Sequence, residues 1–202
     1  MLRLTAAIAA LLVSMPALAH HPMGGATPST LMEGLLSGFG HPILGLDHFV
    51  FIIAAGLLAA PRARLGLVLP LAFVIGSFVG SLLHLGGVDL PGGELLIAGS
   101  VIVMGVLLLS QRTLGDGAFA GLLALAGLLH GHALAEAIFG AENTPLVAYL
   151  AGLAVTQYLI AAGAALAWRK LAGTNLQPRL ARVAGVGAAG LGVLFLALNL
   201  AG

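Results

Sequence analysis

The chain of 202 residues has no cysteine, which excludes disulfides, zinc–thiolate sites and thiol catalysis. Charge is scarce too. Only 7% of residues are Asp, Glu, Lys or Arg, against about 25% in a soluble globular domain. The formal net charge is +1, so nothing points to a nucleic-acid partner. The chain carries neither a Walker phosphate-binding motif nor the H-E-x-x-H signature of helical zinc hydrolases.

What is present is apolar. Hydrophobic residues make up 60% of the chain, with a mean hydropathy of +1.11, and several apolar runs approach 20 residues. This pattern predicts an all-α, polytopic membrane helix bundle. The 30 glycines suit close helix–helix contact, because small residues let backbones approach. Residues 1–19 read as a cleavable signal peptide. Arg3 gives the positive start, Leu4 to Val13 the apolar stretch, and Ala17-Leu18-Ala19 a small-x-small cleavage site. The alternative is an uncleaved first helix. Residues 20–42 then form an outer N-terminus containing a short amphipathic helix, capped by Ser29 or Thr30 and running from Leu31 to Ser37. Residues 43–202 hold six predicted spans, at about 43–60, 65–85, 93–110, 117–139, 146–168 and 183–200. Pro42 is expected at the first helical position of span one, with His41 near its cap.

Charge placement gives these spans an orientation. With the mature N-terminus outside, the inner loops hold Arg62, Arg64, Arg112, Arg169, Lys170, Arg179 and Arg182. The outer segments hold Glu33, Asp89 and Glu142 and no Lys or Arg. This is the positive-inside pattern. Both mature ends then lie outside.

Polar clusters interrupt the apolar runs. A charged side chain at mid-bilayer costs about 2.5–3.5 kcal/mol on insertion scales, so such residues normally face a site or a pathway. His41, Asp47 and His48 open span one; the two histidines lie about two helical turns apart on one face. His130, His132 and Glu136 lie in the middle to outer half of span four. In a regular helix His132 and Glu136 share a face and His130 points the other way. Imidazole and carboxylate without thiol are ligands for borderline divalent metals or carriers of protons. Weaker candidates are His20 and His21 at the mature start, His84 at the outer end of span two, and Glu94 at the start of span three. A carboxylate at a helix N-terminus is favourable without any ligand role. Ser77, Ser81, Ser100, Gln157 and Tyr158 are supporting polar groups at most. A buried His–Asp or His–Glu pair can also simply hold helices together.

The residues His41-Pro42-Ile43-Leu44-Gly45-Leu46-Asp47-His48 resemble the first-span signature of the HupE/UreJ family of nickel and cobalt permeases. Residues 130–153, HGHALAEAIFGAENTPLVAYLAGL, resemble that family's fourth-span motif and the segment after it. The resemblance implies secondary uptake of Ni²⁺ or Co²⁺ as transported substrate across a bacterial inner membrane, which makes the outer side of the mature ends the periplasm, without a prosthetic group. It implies essential roles for His41, Asp47 and His48, with His130 and Glu136 matching the fourth-span His and acid. The expected partners are a divalent metal ion and the lipid bilayer, with a homo-oligomer compatible. The alternatives are an intramembrane metal-dependent hydrolase, a proton pathway or metal-sensing subunit, and a membrane scaffold.

Overall fold

The computed structural model describes residues 26–110 and 112–201. The expected signal peptide and His20 and His21 lie outside the described residues. The fold is a helix bundle: α1 (Leu31–Leu44), α2 (Leu46–Ala59), α3 (Pro70–Leu85), α4 (Gly93–Ser110), α5 (Asp116–Leu134), α6 (Asn143–Lys170) and α7 (Leu176–Ala201), with 3-10 turns at Leu65–Leu67 and Ala135–Ile138. Among the described residues, five helices are long and apolar enough to cross a membrane, and α1 with α2 make a sixth if that bent pair counts as one span. Their outward faces carry Ile75, Val147, Leu159 and Val183, all more than half exposed, as lipid contact requires.

The first span departs most from the sequence expectation. Its start is a capping box: Thr30 Oγ1 accepts the Glu33 amide and the Glu33 carboxylate accepts the Thr30 amide. The helix does not stop at Ser37. It continues to Leu44, so Pro42 lies inside its last turns rather than opening the next helix. The chain breaks at Gly45, which is extended (φ −75°, ψ 101°), and α2 leaves at 77° to α1. A Cβ at position 45 would fall 2.6 Å from His48 Cδ2, so glycine is what lets the His48 ring tuck against the break.

Three helix pairs zip together along small residues. Gly34 and Gly38 of α1 meet the backbone of Pro145 and Tyr149 on α6; Gly76 and Gly80 of α3 interlock with Gly127 and Gly131 of α5; Gly105 of α4 meets Gly185 and Ala189 of α7. This is close packing of the small-x-x-x-small kind. Both halves of the first span lean on α6 in succession, since Gly56 of α2 rests on Ala161. Phe51, Ile52, Val101, Met104 and Leu123 fill the bundle centre.

The cationic loops gather at one end, as the charge pattern predicts. Arg62 Nε donates to Asp116 Oδ1 at 2.7 Å, and its NH2 donates to Leu114 O. Arg169 donates to the carbonyls of Ala60, Arg62 and Ala63. The last two spans are longer than the apolar pattern alone gives. Arg169 and Lys170 extend α6 by favourable interaction with its C-terminal carbonyls, and only residues 171–175 link it to α7.

Candidate functional site

The break between α1 and α2 places His41 in the last turn of α1 and Asp47 and His48 in the first turn of α2. All three side chains are buried, as is His130 of α5. The His41 and His48 rings stand edge to face, 6.4 Å between centroids. His48 Nδ1 lies 2.7 Å from His130 Nδ1, and His48 Nε2 lies 4.0 Å from Asp47 Oδ1. The same carboxylate oxygen accepts the His48 backbone amide at 2.8 Å. His41, Asp47 and His48, expected at the start of span one, and His130, expected in span four, therefore form one cluster. Among the described residues, no three His, Asp or Glu side chains already stand around one point as a metal site.

The hydrogen-bond network assigns the protons. Ser100 Oγ donates to Ile97 O at 2.7 Å, so at its 2.9 Å contact with His130 Nε2 it accepts. His130 Nε2 therefore carries the hydrogen, and its Nδ1 accepts from His48 Nδ1. Tyr149 Oη donates to Leu134 O, so it accepts from His41 Nδ1 at 2.8 Å. Both His41 and His48 thus carry a proton on Nδ1, and in the neutral ring each has its lone pair on Nε2. Metal-ligating histidines are commonly held this way, by a partner that accepts the other ring N–H.

Phe51 and Phe73 stack at 5.0 Å, and His130 lies 4.6 Å from the first ring and 5.5 Å from the second. Phe51 follows His48 by one turn toward the cationic end, so this aromatic pair floors the cluster.

His132 points away from His130, as the spacing predicts, and joins a second group toward the end of the bundle opposite the cationic loops. Its Nε2 donates to Val88 O at 2.7 Å, and its ring meets that of His84 at 4.6 Å. Glu136 and Asp89 lie within electrostatic reach of His84. α5 ends at Leu134, and Glu136 is the exposed residue of the otherwise buried 3-10 turn that follows. Glu94 is exposed in the first turn of α4.

The three serine hydroxyls named from the sequence are all hydrogen-bonded between helices or to their own helix. Ser77 accepts Gln157 Nε2, Ser81 donates to Gly131 O, and Ser100 bridges Ile97 and His130. Sequence reasoning missed Tyr149. Its signal was position: it lies eight residues before Gln157 on one ridge of α6, inside the second motif.

Replacing Tyr149 with Phe removes the acceptor that fixes His41. The buried His41 Nδ1–H then loses this acceptor, a cost of about 1–3 kcal/mol, so Tyr149→Phe should lower the apparent Tm in detergent by several degrees at about 2–4 °C per kcal/mol. An unchanged Tm would remove this contact from the cluster.

The family model described as HupE / UreJ protein matches residues 8–195. Protein HupE from Rhizobium leguminosarum bv. viciae is 31% identical over 131 residues, which covers 64% of this chain and 65% of that relative. The match thus spans just under two thirds of the relative's length. No solved structure matches the chain.

Proposed function

The chain belongs to the HupE/UreJ protein family, and from that premise we propose that it is a secondary transporter taking up divalent nickel or cobalt across the bacterial inner membrane. The observation that carries this reading is the convergence of His41, Asp47, His48 and His130 from three helices on one buried cluster. One buried His–carboxylate pair can serve to hold helices together, but three imidazoles and a carboxylate gathered inside apolar spans support a site or a pathway. Nitrogen and oxygen donors suit borderline divalent ions, and no thiolate is present to trap them.

In this reading the bundle has six spans, the bent α1–α2 pair being one, with both mature ends in the periplasm. The cation meets the outer group first: His84, Asp89, His132 and Glu136, with His20 and His21 of the mature N-terminus assisting. Glu94 adds negative charge at the same face. The ion then sheds water to the Nε2 atoms of His41 and His48 and the carboxylate of Asp47. His130 supports His48 from behind. The hinge at Gly45 lets the three donors close around the ion. A divalent charge moving inward gains about 4.6 kcal/mol per 100 mV, twice the single-charge value, so an inside-negative potential can drive uptake without nucleotide.

The test is flux into proteoliposomes under an inside-negative potential. Nickel or cobalt should accumulate above protein-free vesicles, and unlabelled zinc or copper should compete because all four favour this donor set. Flux no greater than that of empty vesicles would end the permease reading.

A further inference from the structure

Gln157 on α6 is 1% exposed. Its Nε2 donates to Ser77 Oγ at 2.9 Å, while its Oε1 is buried with no hydrogen-bond partner among the described residues. An unpaired buried carbonyl oxygen bears the full cost of its lost hydration, and glutamine is a poor choice if the only need were apolar packing against Ser77.

The position is informative. Gln157 lies eight residues, about 12 Å, along α6 from Tyr149, the partner of His41. It lies one turn before Ala161, which packs on Gly56 of α2. That sets it level with Ile52, about one turn inward of His48. Ser77 in turn rests its backbone on Gly131, the neighbour of His130. The unpaired oxygen therefore lies within one side chain of the histidine cluster, on an amide whose backbone stands a turn further toward the cationic end than His48 and whose nitrogen reaches Ser77.

We propose that Gln157 Oε1 is an inner oxygen station for the transported cation or its water, one turn deeper than His48. This rests on the permease reading. Transport needs successive sites weak enough to release their ion, and a neutral amide oxygen holds a borderline cation less tightly than imidazole nitrogen. Ser77 aims the amide by fixing its nitrogen end.

The experiment compares wild type, Gln157→Leu and Gln157→Glu in the same proteoliposomes, measuring ⁶³Ni flux and, separately, equilibrium Ni²⁺ binding to the purified proteins. Leucine is nearly isosteric and cheaper to bury in a membrane protein, so it preserves packing. Gln157→Leu should bind Ni²⁺ within twofold of wild type yet carry it at least tenfold more slowly. Gln157→Glu, which keeps an oxygen at that place, should restore flux to within about threefold. Flux of Gln157→Leu within twofold of wild type would overturn the inner station, as would equal loss in both variants. An inactive wild type would instead condemn the permease reading itself.

Discussion

Replacing His48 with alanine is expected to cut nickel and cobalt uptake by at least about 100-fold, beyond the 10–100-fold cost of losing an outer-shell partner. His48 is the joint of the cluster. Its Nδ1–H reaches His130, its Nε2 faces Asp47, and its ring edge meets His41. Alanine removes a nitrogen donor and also the proton that fixes His130. The loss to stability should be smaller. His130 Nδ1 is left buried without its donor, a cost of about 1–3 kcal/mol, while both helices keep their glycine contacts. Asp47→Asn keeps the shape and removes the charge, and should also lose most uptake. The measurement is ⁶³Ni and ⁵⁷Co accumulation in cells, normalised to the amount of each variant in the membrane. Wild-type rates in well-inserted His48→Ala would take this cluster out of the mechanism.

Much of this was legible in the sequence, for physical reasons. The capping box is local, and Thr30 and Glu33 announce it within four residues. The spans follow from apolar run length, and the clustering of Arg62, Arg169 and their loops at one end follows from charge. His130 and His132 diverge because a helix turns 200° over two residues. The failures have one origin: they depend on contacts distant in the chain. Pro42 suits either a first turn or a late one, and only the packing of α1 on α6 decides for the second. α5 tightens into a 3-10 turn after Leu134, which no residue there announces. Tyr149 was missed because an isolated Tyr near a helix start reads as an interfacial anchor, whereas its partner His41 lies 108 residues away.

The second large effect concerns the seam that carries the site. Gly131 faces the backbone of Ser77, and a Cβ there would collide with the Ser77 carbonyl oxygen and Cα. Backbone on the opposing side cannot swing away as a long side chain can, so α3 and α5 must part. Overpacking of this kind costs about 1–3 kcal/mol, occasionally more. At about 2–4 °C per kcal/mol for a chain of this size, Gly131→Ala should lower the apparent Tm in detergent by roughly 5–10 °C. The same substitution at Gly121, on the same helix, meets nothing within 4 Å. There alanine gains up to about 1 kcal/mol of helix propensity over glycine in water, so Gly121→Ala should be neutral or stabilising. The pair holds chemistry and helix constant and varies only the contact. Separation of α3 from α5 would also shift His130 against Ser100 and Ser77 against Gln157, so Gly131→Ala should transport poorly even at temperatures where it stays folded. Equal Tm values for the two alanine variants would mean that α3 and α5 do not meet along this glycine seam, and the placement of His130 beside His48 would lose its support.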